Sequence, residues 1–575
     1  MKYLWRIQTL SDEQRAQRDA LMAQLGISAA SASLLVRRGL TSPDAARAFV
    51  RPSLAQLHDP LLMAGMQAAV QRLVQAVDTN QKILIYGDYD VDGTTAVALM
   101  YRFLSGFYSN IDYYIPDRYT EGYGISFRGI DYAQAEGCTL IIALDCGIKA
   151  VDKVEYARSR GIDMIICDHH MPGDSVPQAV AVLDSKQADD PYPFKHLSGC
   201  GVGFKLAQAY VQSRRLSNQL LTPLLELLAM SIASDIVSLT GENRILAYYG
   251  IKQMNTQPSI GLQGLMKMAA VEPGHVTMGD LVYRIGPRLN ACGRIQSGRD
   301  AVKLLISDDP QFAEQMAQHI EDFNSQRKEL DQTITKEALQ QLEDDPDNIN
   351  KHTNVVYGPS WHRGVVGIVA SRLTEHYFRP TIVLADTDDG LIAGSARSVG
   401  GFDIYSAIDS CRDLLTNFGG HVFAAGLSMV KANLPEFKRR FEAYVAEHIQ
   451  DEQKVPVILI EDELHLEDID QRFFNVLRHL EPFGPDNPHP KFVTRGLINN
   501  RYTRRVGKMG EHLKLDLTDR QVAISGIAFG LGDMAPMIQN GHPVDVCYSL
   551  EENTYNGQTG IQMKVEDILP ADPAT

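Results

Sequence analysis

Residues Lys82 to Thr95 read Lys-Ile-Leu-Ile-Tyr-Gly-Asp-Tyr-Asp-Val-Asp-Gly-Thr-Thr. Few folds accommodate such a stretch. Ile83, Leu84 and Ile85 form the short, continuous apolar run of a buried parallel strand. The run stops at Gly87, and Gly93-Thr94-Thr95 open an amphipathic segment that reads as a helix to about Phe107. Asp88, Asp90 and Asp92 therefore sit where a strand hands over to a helix. In an open α/β sheet that is the edge where ligands bind. Carboxylates this close repel one another strongly where water is partly excluded, and a cation among them relieves the repulsion. The alternative is a solvated acidic turn that caps the helix.

The same hand-over recurs along the chain. From about residue 61 to 310, strand candidates at 82–87, 111–115, 139–144, 163–167 and 180–183 alternate with helical patterns. This predicts an α/β domain built on a doubly wound parallel sheet. Leu140-Ile-Ile-Ala-Leu144 runs into Asp145-Cys146-Gly147, and Met164-Ile-Ile-Cys167 runs into Asp168-His169-His170. Asp235 follows a long apolar stretch, Leu220 to Ala233. One Asp after a strand is most often a cap. Successive strand ends that present Asp-x-Asp-x-Asp, Asp and Asp-His-His to one crevice are harder to dismiss. Carboxylate oxygen with one or two imidazoles suits Mn²⁺ or Mg²⁺ better than zinc.

At 575 residues the chain exceeds a single core. Residues 1–60 read as a helical arm without recognisable chemistry, expected to pack on the domain that follows. Residues 61–310 are the α/β domain just described. Gly and Pro are absent from Gln311 to Asp345, so 311–345 reads as one long connecting helix. Residues 346–450 form a second, smaller α/β unit with strands expected at 354–357, 381–385 and 391–395. Residues 451–575 carry short strands at 455–460, 491–498, 512–517, 521–529, 543–549 and 561–567, the pattern of a small β-barrel.

The net charge of -16 argues against a general nucleic-acid coat protein but leaves room for a local basic groove. Lys491 to Gly510 is such a place, with six Lys or Arg, no acid, and Tyr502 among them. It reads as an electrostatic track with an aromatic stacking platform for a single strand, with an ordinary charged hairpin as the alternative. Arg284-Ile-Gly-Pro-Arg-Leu-Asn-Ala-Cys-Gly-Arg294 is also basic and free of acids; it reads equally as an Arg-capped turn or as a phosphodiester-binding segment, since Arg284, Arg288, Asn290 and Arg294 suit such a backbone. Gly394-Ser-Ala-Arg-Ser398 and Gly419-Gly-His-Val-Phe-Ala-Ala-Gly426 read as small-residue loops, most simply plain turns, whose backbone N–H groups could also approach an anion. The seven cysteines form no Cys-x-x-Cys pair, no apolar run reaches 18 residues, and the N-terminus lacks a signal-peptide layout. A cytoplasmic, monomeric protein without membrane contact is expected.

Asp-Tyr-Asp-Val-Asp-Gly, Leu-Asp-Cys-Gly, Asp-His-His and Ser-Asp-Ile-Val resemble the four motifs of the DHH phosphoesterase superfamily. Similarity to its RecJ family of single-strand-specific exonucleases runs over essentially the whole chain. The resemblance implies a DHH catalytic domain, a DHH-associated domain and a C-terminal OB-fold. It implies 5′→3′ hydrolysis of single-stranded DNA to 5′-mononucleotides by a two-metal mechanism with Mn²⁺ or Mg²⁺, in DNA recombination and repair. It also implies a helicase and a single-strand-binding protein as partners. One ion would fall to Asp88, Asp90 and Asp145, and the other to Asp92, Asp145, His169 and Asp235. His170 would contact the scissile phosphate or assist proton transfer, with Asp168 in the same catalytic set. Arg118, Ser395 and Arg397 would hold the 5′ phosphate. Arg288, Asn290, Arg294 and His421 would bind substrate, and Arg501, Tyr502, Arg504, Arg505 and Lys508 would bind DNA on the barrel.

Departures from the family pattern are local. Cys292 replaces an Ala. Ser231-Ile-Ala-Ser-Asp235 stands where many relatives read Gly-Thr-Val-Ala-Asp, and Asp184 stands where relatives often have Asn. Two other readings compete. A small-substrate phosphoesterase, such as a family II pyrophosphatase or a nanoRNase, would need neither the barrel nor the basic 491–510 segment, and a pyrophosphatase would carry His in place of Asp88. A non-catalytic replication scaffold of the same superfamily would lack metal ligands, and here the expected ones are present.

Overall fold

The computed structural model describes residues 3–555 and 558–571. It begins with β1 (Leu4–Ile7) and the helices Asp12–Leu25, Ala29–Arg37 and Pro43–Val50, each started by a serine side chain that accepts a backbone N–H. Next comes a five-stranded sheet of β2 (Ile83–Gly87), β3 (Ile111–Tyr114), β4 (Leu140–Leu144), β5 (Asp163–Cys167) and β6 (Ala181–Leu183), in the order β3-β2-β4-β5-β6. Every pairing in it is parallel. β2 and β4 are buried on both faces, which is why each reads as an unbroken apolar run. The doubly wound fold expected from the alternation is the one observed.

Asp309 caps the helix Pro310–Glu343. At about 1.5 Å per residue it is roughly 50 Å long. Its first half (Ala313, Ala317, Ile320) is buried in the core of the parallel-sheet domain, and its second half (Ile334, Ala338, Leu342) against Trp361 and Val369. One rigid rod is thus shared by two cores.

The second α/β unit contains β7 (Asn354–Gly358), β8 (Thr381–Asp386), β9 (Ile392–Arg397), β10 (Leu415–His421) and β11 (Ala424–Met429), in the order β10-β11-β9-β8-β7. Here the loop expectations need correction. Gly394 to Arg397 lies in β9, and Gly419 to Gly426 forms the hairpin of β10 and β11. Glycine, alanine and serine have too little side chain to announce a strand, so the strand expected at 391–395 stops short of Arg397 and the hairpin at 419–426 looks like a turn.

The last unit holds β12 (Val457–Ile460), β13 (Asp462–Glu463), β14 (Phe492–Asn499), β15 (Arg504–Val506), β16 (His512–Thr518), β17 (Ala523–Ala528), β18 (Val544–Tyr555) and β19 (Gln558–Pro570). The strands run β13-β14-β18-β19-β17-β16-β15, and a further pairing of β14 with β16 closes the ring, as in an OB barrel. The N-terminal helices pack here and not chiefly on the domain that follows them. Leu21, Leu34 and Leu35 share one core with Phe473, Leu477 and Leu515, and β1 pairs in parallel with β12. The guanidinium of Arg38 adds two bonds to Glu461, at 3.0 and 3.1 Å, in a buried pair. Apolar spacing shows that a helix face must be covered, but not by which partner. Among the described residues, no helix is long and apolar enough to cross a membrane.

Candidate metal centre and phosphate cradle

Gly87 pairs with Leu144, and Leu144 with Cys167, so three adjacent strands end at one level. The residues that follow, Asp88, Asp145 and Asp168, therefore stand side by side along the carboxyl edge. The strand order puts the topological switch point between β2 and β4, where open α/β sheets bind ligands.

Asp90 caps the helix Val91–Ser105 by accepting the N–H of Gly93 at 3.0 Å. Only glycine fits at 93, because a Cβ would lie 2.5 Å from the carbonyl oxygen of Asp88. Asp92 points at the start of the helix Gly199–Ser213. Its Oδ2 accepts from Gly199 N–H at 2.7 Å, and its Oδ1 from Cys200 N–H at 2.8 Å and from Ser231 Oγ at 2.7 Å. Gly199 is equally constrained, since a Cβ there would sit 2.6 Å from Asp145 Oδ1. His169 Nε2 lies 3.1 Å from Asp145 Oδ1, 3.6 Å from Asp235 Oδ2 and 3.7 Å from Asp92 Oδ2. Asp92, His169 and Asp235 bring one ligating atom each within 4.8 Å of one another, as do Asp145, His169 and His170. Asp88 and Asp90 join neither group, although the charge of Asp90 bears on both Asp88 and Asp145.

The polar atoms here fit a cation. Asp88 Oδ2, both carboxylate oxygens of Asp145 and both ring nitrogens of His169 are buried without a hydrogen-bond partner. Such atoms are rare in folded proteins. The 3.1 Å approach of His169 to Asp145 lacks hydrogen-bond geometry, so the two groups face a common point more than each other. Burial, and then mutual repulsion, pushes the carboxyls of Asp88, Asp90, Asp145 and Asp235 upward. Burial lowers His169 to about 4, which keeps its imidazole neutral and its lone pair available. Asp145 also holds a φ of +59°, a sparsely populated region for a residue with a side chain. Oxygen and imidazole donors relieved of charge by a divalent ion suit Mn²⁺ or Mg²⁺.

Asp168 belongs to a different class. Its Oδ2 accepts from Ile148 N–H at 2.8 Å, and its Oδ1 takes His169 N–H at 2.7 Å and pairs with His170 Nδ1 at 2.7 Å. Burial alone would raise this carboxyl, but the bond to His170 and the backbone donors hold it at about 2. Asp168 thus orients His170 and has no oxygen to spare. The other ring nitrogen of His170 meets Tyr123 OH at 3.1 Å. Burial lowers the His170 imidazole, yet Asp168 outweighs it and the net shift is upward.

Next to this centre is a cavity of about 220 Å³ lined by Tyr89, Asp90, Arg118, Tyr123, Asn290 and Arg294. The Arg118 guanidinium lies 5.1 Å from the centre of the Tyr89 ring. Arg294 donates to Gly364 O at 3.0 Å, which ties the cavity to the second α/β unit. Burial, together with repulsion from Arg118, Arg327 and Arg397, lowers Arg294 to about 10. Ser395 and Arg397 share one face of β9, with Arg397 Nη1 on Ser395 Oγ at 2.7 Å. His421, Ala424 and Arg397 lie in register across β10, β11 and β9, so His421 stands on the same face about 10 Å from Arg397. Arg288 is not brought to the cavity. It forms an ion pair with Glu321 at 2.5 Å and donates to the carbonyl of Met268 at 3.1 Å, and so fastens the connecting helix.

On the barrel, Arg501 and Tyr502 lie on the segment leading into β15, Arg504 and Arg505 in β15 itself, and Lys508 on the turn after it. Tyr502 is 72% exposed. Arg505 pairs with Asp533 at 3.1 Å.

Residues 82–232 match the DHH family, N-terminal domain; 349–447 match the DHHA1 domain; and 460–567 match the RecJ OB domain. The single-stranded-DNA-specific exonuclease RecJ of Bacillus subtilis is 34% identical over 99% of this chain and 71% of its own length. That of Escherichia coli is 33% identical over 88% of this chain and 91% of its own. The chain belongs to the RecJ family. The crystal structure of RecJ from Thermus thermophilus in complex with Mn²⁺ superimposes with a TM-score of 0.84 at 28% identity, covering 99% of this chain and 80% of that one. A second crystal structure of the Thermus protein is a complex with Mg²⁺, with a TM-score of 0.79.

In this RecJ-family chain, four contributors escaped the sequence reading. Tyr123, which meets His170 and lines the cavity, stood between two glycines. Tyr89 lay unremarked between two acids. Arg327 lay in a helix that looked purely connective. Ser231 stood out only as a departure from the motif. The run Ser198-Gly-Cys-Gly was the available signal for the close approach to Asp92 and Asp145.

Proposed function

We propose that the chain is a metal-dependent exonuclease that degrades single-stranded DNA from the 5′ end and releases 5′-mononucleotides, in recombination and repair. One observation carries this reading: the orphaned atoms of Asp88, Asp145 and His169 adjoin the arginine cradle, since the cavity that holds Arg118 and Arg294 is also lined by Asp90, whose charge bears on Asp88 and Asp145, and by Tyr123, whose hydroxyl donates to the Asp145 carbonyl at 3.2 Å.

Asp92, Asp145, His169 and Asp235 would hold one ion, and Asp88, Asp90 and Asp145 the other. Two divalent ions in such a site activate water and offset charge on the attacking and leaving oxygens of a phosphodiester. Arg118, Arg294, Ser395 and Arg397 hold the terminal 5′ phosphate, with Arg327 adding charge behind them. That grip leaves the next phosphate in front of the aspartates, so the first nucleotide departs as a 5′-mononucleotide. Asp168 accepts the Nδ1–H of His170 and favours the protonated ring, whose Nε2–H would then donate to the scissile phosphate or the departing 3′ oxygen. Asn290 and His421 line the path of the strand. Arg501, Tyr502, Arg504, Arg505 and Lys508 guide it over the barrel by charge and stacking. In this division 61–310 is the catalytic unit, 311–345 the connecting helix, 346–450 the phosphate-gripping unit, 451–575 the DNA-binding barrel and 1–60 an arm. Seven buried free cysteines fit a reducing cytoplasm. A monomer working with a helicase and a single-strand-binding protein completes the reading.

The test is degradation of single-stranded DNA in Mn²⁺ with 5′-phosphate, 5′-blocked and 3′-blocked ends. Inhibition by the 5′ block alone supports the proposal, whereas cleavage only of dinucleotides or pyrophosphate overturns it. Arg397→Ala should lower kcat/KM on 5′-phosphorylated strands by roughly 10²-fold, the value of a charge-assisted bidentate grip, and much less on 5′-hydroxyl strands. Equal losses on both would remove the cradle from the reading. Tyr502→Ala should weaken binding of long strands by about 1–3 kcal/mol and leave cleavage of very short ones unchanged, as titration by fluorescence anisotropy would show.

A further inference from the structure

The motif around Asp235 departs from the family pattern at Ser231, and the structure assigns this residue a task. Ser231 is fully buried in the helix Leu225–Asp235, and its Oγ lies 2.7 Å from Asp92 Oδ1 and 2.6 Å from Ser198 Oγ. A hydroxyl donates one proton at a time. With Ser231 donating to the carboxylate, Ser198 supplies the proton between the two hydroxyls, and Ser198 is itself fixed as the cap that accepts Gly201 N–H at 3.1 Å.

Asp92 thereby accepts from three donors. Gly199 N–H takes a position on Oδ2, and Cys200 N–H and Ser231 take two on Oδ1. A carboxylate offers about four such positions. The one left is on Oδ2, the oxygen 3.7 Å from His169 Nε2 in the group with Asp235. A glycine at 231 would have no donor, and Asp92 would then be held by the two backbone N–H groups alone.

We propose that Ser231 is a positioning residue for the metal centre: its hydroxyl fixes the rotation of the Asp92 carboxylate so that one Oδ2 lone pair faces the ion shared with His169 and Asp235. Ser231 touches neither ion nor substrate. This rests on the metal reading given above, and its test keeps the two separable.

The measurement is Mn²⁺ titration of metal-free full-length protein by calorimetry, without DNA, alongside the melting temperature in chelator. Ser231→Ala should weaken one of two Mn²⁺ binding steps about tenfold, the lower end for groups that orient a metal ligand, and leave the other step unchanged. Ser231→Thr, which keeps the hydroxyl, should restore most of the affinity. In an Asp92→Asn background, Ser231→Ala should have no further effect on that step. Where Ser231→Ala fails to fold, Ser198→Ala provides the reading, with a loss of about two- to threefold in the same step. Wild-type Mn²⁺ affinity in folded Ser231→Ala, with affinity lost in Asp92→Asn, overturns the proposal and spares the metal reading. Wild-type affinity in both variants overturns the two together.

Discussion

Asp145→Asn should lower single-strand degradation by roughly 10³-fold or more, at least about 4 kcal/mol at the transition state, and at the same time raise the melting temperature of the metal-free protein. The two effects have one cause. Both Asp145 oxygens are buried without partners, and the charges of Asp92, Asp90 and Asp235 converge on them. Asparagine keeps the shape but removes the charge, so repulsion in the empty site falls and the attraction for cations falls with it. A stabilised but inactive variant is what a functionally strained site predicts. The φ of +59° at this position suits Asn as well as Asp, so the backbone gives no reason for misfolding. The check is melting in chelator and in Mn²⁺ beside a nuclease assay. A variant that melts below wild type in chelator would show that the carboxylates are not in conflict.

The second large effect concerns Asp184, at the end of β6. Its Oδ1 accepts from Lys186 N–H at 2.8 Å, while its Oδ2 is buried without a partner. Burial pushes this carboxyl from 3.8 up to about 7. A folded-state value above the unfolded one means that the folded protein binds the proton more tightly. The contribution to stability is therefore fully present below pH 3.8 and is lost as pH rises through about 7. At pH 8 the ionised group should destabilise the fold by at most about 4 kcal/mol. Asp184→Asn should then melt above wild type at pH 8, with a gap that narrows toward pH 5. A gap independent of pH would mean that the side chain is neutral in both states or reaches water.

The parallel sheet was legible because its strands are buried on both faces. Ile83 to Ile85 and Leu140 to Leu144 admit no other residue types, and the acids and imidazoles after them stand out against that background. The hairpin carrying His421 was not legible, because the residues that build it are too small to show a period. Arg288 and Arg294 looked alike in sequence, yet one pairs with Glu321 and the other faces the cleft. That choice is made by the helix beside them. Ser231 could be seen to differ, but its partner Asp92 lies far off in the chain, and only the packing of two helices brings them together.

The pairing of the first strand with the barrel also dictates an order of assembly. Leu4 finds its neighbour at Val457. At synthesis rates of about 5–20 residues per second, that neighbour leaves the ribosome tens of seconds after Leu4 does. Throughout that interval Leu21, Leu34 and Leu35 have nothing of their own to bury against. The two α/β units can close while the nascent chain is still growing, but the opening helices must wait for the barrel. The segment made first is thus the last to settle, and it is where a chaperone has the longest opportunity to bind.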